Sequence, residues 1–201
     1  MDRNQNYDVN NTAPTTAATD FPAAPPRLYA HTPANTWNMT CPEQLLPLTD
    51  ILSSSGYAQL NSEVSGMSAG GTTDQPVGLD MGWMTLTNSA PFSPGAIPNG
   101  TTPILIIVSD GLNTQDRWTG DGTDEDSGTD DREALVCSNI KAAGVTVYAI
   151  YVDLNGTQGN SAPLQACASS SQDYFDLTTS GEIITTLNQI TSQIIQLHIS
   201  K

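Results

Sequence analysis

The chain has 201 residues, with 21 acids against six lysines and arginines and a formal net charge of -15. That length suffices for one domain with a sizeable core. The charge repels phosphate backbones and anionic lipid surfaces, which sets nucleic acid aside as a partner.

No run reaches the ~20 apolar residues of a membrane span. The polar start Met1-Asp2-Arg3-Asn4 lacks the apolar core of a signal peptide. Residues 1–40 read as an irregular insertion or linker segment, rich in Asn, Thr, Ala and Pro, with no apolar period. A structureless lead of that length into a compact domain is better read as a long insertion loop or a severed segment. Residues 41–201 read as the folded part. Leu45-Leu46-Pro47-Leu48 is a short apolar run whose proline allows an edge strand at most. A short helix is expected over residues 54–65, with Tyr57, Leu60 and Val64 on one side.

Gly70-Gly71-Thr72-Thr73-Asp74-Gln75-Pro76 reads as a helix start, capped by Thr73 or Asp74 and with Pro76 in the first turn. The helix that follows carries Val77, Met81 and Met84 on one stripe and Leu79, Trp83 and Leu86 on another, so it should be largely buried. Gly78 and Gly82 would let it pack closely against a neighbour. Ile104-Leu105-Ile106-Ile107-Val108 is a β-branched run of the kind that forms a central strand covered on both faces. Ser109-Asp110-Gly111 ends it.

The loop from Asp116 to Asp131 holds seven of the 21 acids but lacks the residue order of an EF-hand, and reads as a solvated charged loop. Asp130 and Glu133 have the spacing of a capping box for a helix over residues 131–143, which Gly144 stops. Residues 145–152 form the next strand. A short helix over 162–168 and a strand at Tyr174-Phe175-Asp176-Leu177 follow. Thr179 and Glu182 cap a last helix whose Ile183, Leu187, Ile190, Ile194 and Leu197 recur every three or four residues. Strands alternating with helices through short connections define an α/β fold with a mostly parallel sheet flanked by helices.

In such a sheet, ligands bind beyond the carboxyl ends of the strands. Asp110 belongs on that rim, although Ser-Asp-Gly after a strand is also ordinary turn chemistry. Thr72 adds a hydroxyl just before a helix that starts on the same rim. A hydroxyl beside a carboxylate suits magnesium, manganese or calcium rather than zinc, but needs further donors to make a site. Cys41, Cys137 and Cys167 are an odd number, which their spacing leaves open as buried thiols. His31 and His198 stand alone, and neither has the setting of a catalytic base.

The Gly70-Gly71-Thr72 turn and Ile106-Ile107-Val108-Ser109-Asp110-Gly111 resemble the second and third motifs of the metal-ion-dependent adhesion site of von Willebrand factor A domains. The resemblance implies a Rossmann-like sheet and makes Thr72 and Asp110 metal ligands. The family's first motif, Asp-x-Ser-x-Ser after the opening strand, is absent from this sequence. A wider set of motifs spans nearly the whole chain. It includes Met1-Asp2-Arg3, Cys41-Pro42, Gly82-Trp83, Asn113-Thr114-Gln115, Arg117-Trp118, Cys137 through Gly144-Val145, and Leu164 through Cys167. Together they resemble the TadG-type (TadE/TadG-like) proteins of the tight-adherence (Flp) pilus assembly system.

That family holds its A-type domain in the periplasm behind one N-terminal membrane helix. The resemblance therefore implies a C-terminal part of such a domain, lacking its first strand, with Met1 an internal methionine and the membrane reached only through a missing anchor. It implies that Cys137 and Cys167 could pair. It also implies Mg2+ or another divalent cation in the full-length protein, with weak or no binding by this chain, whose Asp-x-Ser-x-Ser donors are missing. The function expected is a non-enzymatic, extracytoplasmic protein-binding module, with pilus assembly components or surface ligands as partners. The alternatives are a metal-dependent hydrolase using Asp110 and a cytosolic A-type domain in a chaperone complex. Against the hydrolase, no Cys-His pair, Gly-x-Ser-x-Gly or Walker loop is present.

Overall fold

The computed structural model describes residues 45–68, 72–87, 100–115, 120–154 and 156–199. The expected 1–40 segment, Cys41, Gly70-Gly71 and Arg117-Trp118 lie outside them. The chain divides into two compact units, Met1–Gly71 with Met84–Asn99, and Thr72–Trp83 with Gly100–Lys201.

In the first unit the described residues hold one helix starting there, α1 (Ser54–Gly66). Ser53 caps it, its hydroxyl accepting from the Gly56 amide at 3.1 Å. A Cβ at Gly56 would collide with the Asp50 carbonyl, so only glycine lets the entering turn close against the helix. Tyr57 and Val64 are exposed. The edge strand expected at Leu45–Leu48 does not form; the segment is irregular. Local bonds bend it into the turn before α1: the Thr49 hydroxyl donates to the Pro47 carbonyl at 2.7 Å, and the Leu52 amide to the Asp50 carboxylate at 3.0 Å.

The second unit is built on three parallel strands in the order β1-β2-β3: β1 (Ile104–Ser109), β2 (Thr146–Val152) and β3 (Tyr174–Leu177). The pairing runs from Ile104 opposite Thr146 to Ser109 opposite Tyr151, then from Ala149 opposite Tyr174 to Val152 opposite Leu177. The most buried strand is β2, not β1. Among the described residues β1 pairs only with β2, and its Ile106 and Val108 remain 42% and 56% exposed.

The two faces of β2 separate by the period of two that a strand imposes. Tyr148, Ile150 and Val152 pack with Leu177 and with Ile190 of α5 (Ser180–Ile199). Ala149 and Tyr151 pack with Leu164 of α4 (Ala162–Cys167) and with Ala168. The helix α3 (Ser127–Ala142) lies against α4 and β2. A buried disulfide, Cys137–Cys167, joins α3 to α4 with Cα atoms 5.0 Å apart.

Helix ends follow side-chain caps. The Glu182 carboxylate accepts from the Thr178 and Thr179 amides at 2.9 and 3.0 Å and starts α5. Gly144, at φ +81°, takes the chain out of α3 in a conformation that other residues resist. The start of α3 differs from the capping box expected at Asp130 and Glu133. Asp126 is the cap, its carboxylate accepting from both the amide and the hydroxyl of Thr129 at 2.8 Å. The helix therefore begins a turn earlier, and Glu133 is free to point inward.

In α2 (Gln75–Leu86), Leu79 is buried as expected. Val77, expected on a buried stripe, is 48% exposed. A Cβ on Gly82 would sit 3.3 Å from Leu105 of β1, whereas one on Gly78 would meet open space. Only Gly82 makes the close approach.

Candidate binding rim

The carboxyl ends of β1 and β2, the start of α2 and the loop after β1 form one rim of the second unit. Asn113 is its hub. This residue is 1% exposed. Its amide oxygen accepts from the Gln75 backbone at 2.9 Å, satisfying one of the orphan amides at the start of α2. Its amide nitrogen donates to Glu133 at 2.6 Å and to Asp130 at 2.9 Å. Its carbonyl accepts from the amide of Asp126, the cap of α3, at 2.8 Å. One side chain and its backbone thus tie α2, the β1 loop and α3 together.

Further bonds lock Thr73, the neighbour of Thr72, onto the same loop. The Thr73 amide donates to the Thr114 hydroxyl at 3.0 Å, and the Thr73 carbonyl accepts from the amides of Thr114 and Gln115. The Gln75 side chain donates to the Ser109 hydroxyl at 3.0 Å and to the Gly111 carbonyl at 2.7 Å. Gly122, from the acidic loop, lies against the methyl group of Thr72; a Cβ there would collide with it.

Thr72 is half-buried and Asp110 exposed. Both flank this loop cluster, but no hydrogen bond joins them among the described residues. Asp153, at the end of β2, is buried and already engaged, accepting from the Thr157, Gln158 and Gly159 amides at 3.1, 2.8 and 3.1 Å. Among the described residues Asp110 accepts no such bonds, and its side chain is exposed. The Gln75 side-chain oxygen is buried without a partner.

Thr72 and Asp110 are hard oxygen donors of the right type for a divalent cation, but two donors fall short of the six that magnesium or calcium requires. Among the described residues, no group of three carboxylate, histidine or cysteine ligands gathers at Thr72 and Asp110. Glu133, Cys137 and Cys167 do converge within 4.8 Å. Both sulfurs are spent in the disulfide, so this group is no metal centre as it stands.

Two buried acids were missed by sequence reasoning. Burial pushes the Glu133 carboxyl up to about 7, against the opposing Asn113 bond and helped by the charges of Asp130 and Asp74. Burial alone lifts Asp80 of α2 to about 6, and its Oδ2 has no partner. Asn113 was visible only as one letter of a longer motif. Its role depends on residues 38 positions before and 20 after it, which no local pattern reports.

No protein-family model matches the chain, and no curated protein matches it in sequence. Among solved structures, the pilus adhesin SpaC from Lactobacillus rhamnosus GG is similar, with a TM-score of 0.56 and 17% identity over 75% of this chain. The chain spans about a fifth of that adhesin, 22% of its length. Proximal thread matrix protein 1 from the mussel byssus, with a zinc-occupied MIDAS motif, aligns at a TM-score of 0.47 and 20% identity, over 66% of this chain and 29% of its own. The second unit, with its parallel sheet between helices, has a von Willebrand factor A-like α/β fold.

Proposed function

We propose that this chain is a non-enzymatic protein-binding module of an adhesion or pilus system, with Thr72 and Asp110 at the centre of its contact surface. The observation that carries this reading is the contrast at the rim. Asp153 is consumed by its own loop, while Asp110 stands exposed beside a loop held rigid by Asn113 and Gln75. A rigid base under an exposed carboxylate suits recognition of a partner surface. The described rim holds no nucleophile beside a base, which supports a binding role over hydrolysis.

The finer assignment is to a TadG-type component of Tad/Flp pilus assembly. It is supported by the motifs spread along the chain and by the fold shared with a pilus adhesin. The buried Cys137–Cys167 cross-link supports a periplasmic or other extracytoplasmic site of action.

The reading is tested by complementing a deletion strain with the full-length gene carrying Asp110→Ala and counting surface pili. Loss of piliation at normal protein level is expected. Wild-type piliation would overturn the reading, as would Asp110-dependent turnover of ester, phosphate or peptide substrates by the purified protein.

A further inference from the structure

Glu133 and Cys137 lie one turn apart on α3, and Cys167 reaches them from the end of α4. A carboxylate oxygen of Glu133 and the two sulfurs all lie within 4.8 Å of one another. All three residues are buried, Glu133 at 0% exposure and each cysteine at 1%. Glu133 Oε2 is held by Asn113, while Oε1 has no hydrogen-bond partner. A carboxyl group with one anchored and one unspent oxygen, beside a dry disulfide, has the placement of a proton carrier.

We propose that Glu133 and the Cys137–Cys167 disulfide form one redox-coupled proton site, in which Glu133 protonates Cys137 as a dithiol opens the bond and deprotonates it as the bond re-forms. The geometry sets the order of events. Glu133 and Cys137 share α3 while Cys167 belongs to α4, so the proton donor stays beside Cys137 as the bond opens and the attacked sulfur is that of Cys167. A reductant thiolate bonds to Cys167 Sγ, the Cys137–Cys167 bond breaks, and Cys137 leaves as a thiolate that takes the Glu133 proton. The reductant's second thiolate then displaces Cys167, which takes a proton from solvent. Two electrons have passed to the protein, and the dithiol ends as a cyclic disulfide. Re-formation reverses these steps with the cyclic disulfide as oxidant: the Cys167 thiolate opens it to a mixed disulfide, the Glu133 carboxylate removes the Cys137 proton, and the Cys137 thiolate attacks Cys167 Sγ and expels the dithiol. Asn113, which holds Glu133, also holds the start of α2, so the site abuts the binding rim.

The groups facing Glu133 are Asp130 on its own helix, Asp74 before α2, the amide of Asn113, and the two cysteines. Its elevated proton affinity puts the predicted step near pH 7. A structural role predicts the opposite trend: protonated Glu133 stabilises the fold, so slower opening would retard reduction at low pH.

The test is reduction of the oxidised full chain by dithiothreitol between pH 5.5 and 8.5, with the Cys137 and Cys167 peptides quantified after alkylation. Rates are divided by the thiolate concentration of the reductant. The normalised wild-type rate is expected to fall about tenfold from pH 6 to pH 8, and Glu133→Gln to be slow and flat. Asp130→Asn should move the step to lower pH without removing it. A flat or rising wild-type profile overturns the proposal, as does a step kept in Glu133→Gln or abolished by Asp130→Asn. If Glu133→Gln does not fold, the wild-type profile decides alone.

Discussion

Asn113 concentrates more of the rim's connectivity than any charged residue does. Replacing it with alanine strands the Gln75 amide and leaves Glu133 and Asp130 without their shared donor. Buried groups left unpaired cost about 1–3 kcal/mol each, so Asn113→Ala should lower the denaturation midpoint by an amount worth roughly 2–4 kcal/mol. Chemical denaturation checks this. The buried acids set the pH dependence. Asp80 holds its proton to about 6 in the fold and to about 3.8 when unfolded. Its environment carries no penalty below the lower value. Stability falls as pH rises through the window between them, because the unfolded chain ionises first. The loss for Asp80 is on the order of 3 kcal/mol. Asp80→Asn should therefore match wild type near pH 4 and exceed it at pH 7.5. Glu133 adds a loss of the same sign between about 4.5 and 7.

At the scale of elements, most of the second unit was legible. The strands at β2 and β3, the helix α5 and the stop at Gly144 follow from period and punctuation, and they form where those signals stand. Two misreadings share a cause. Asp130 and Glu133 satisfy the spacing of a capping box, but Asp126 offers an earlier cap with Thr129 as a double donor, and Glu133 is drawn inward by Asn113. Ile104–Val108 has the composition of a covered central strand, yet coverage depends on what lies beside and above it, which composition does not encode. Two tests belong here. Asp126→Ala should cost about 1 kcal/mol, the usual worth of a cap, whereas Asp130→Ala should cost the helix start little. Val108→Lys, on β1, which among the described residues pairs only with β2, should leave the thermal midpoint within about 2 °C and reduce self-association, since charge on an edge strand blocks pairing. Differential scanning calorimetry and light scattering read the two effects.

At the scale of the molecule, the α/β class followed from the alternation of elements, and the candidate site was legible only in part. Thr72 and Asp110 flank one loop cluster, but Gln75, Asn113 and Glu133, which give the rim its rigidity, carried no local signal. The pairing of Cys137 with Cys167 came from resemblance, because spacing alone left the thiols open. The rim's two hard donors predict that calorimetry finds no micromolar magnesium or manganese binding by this chain; such binding would reveal donors beyond Thr72 and Asp110. The net charge of -15 adds a long-range field that favours basic partner surfaces and makes association salt-dependent. Protein recognition is the role proposed for the rim. Its most direct test is biolayer interferometry of the purified chain against immobilised pili from the source strain. Saturable binding is expected, which Asp110→Ala and Thr72→Ala each weaken about tenfold, or ~1.4 kcal/mol, with the fold intact. Binding unchanged in both variants would contradict it.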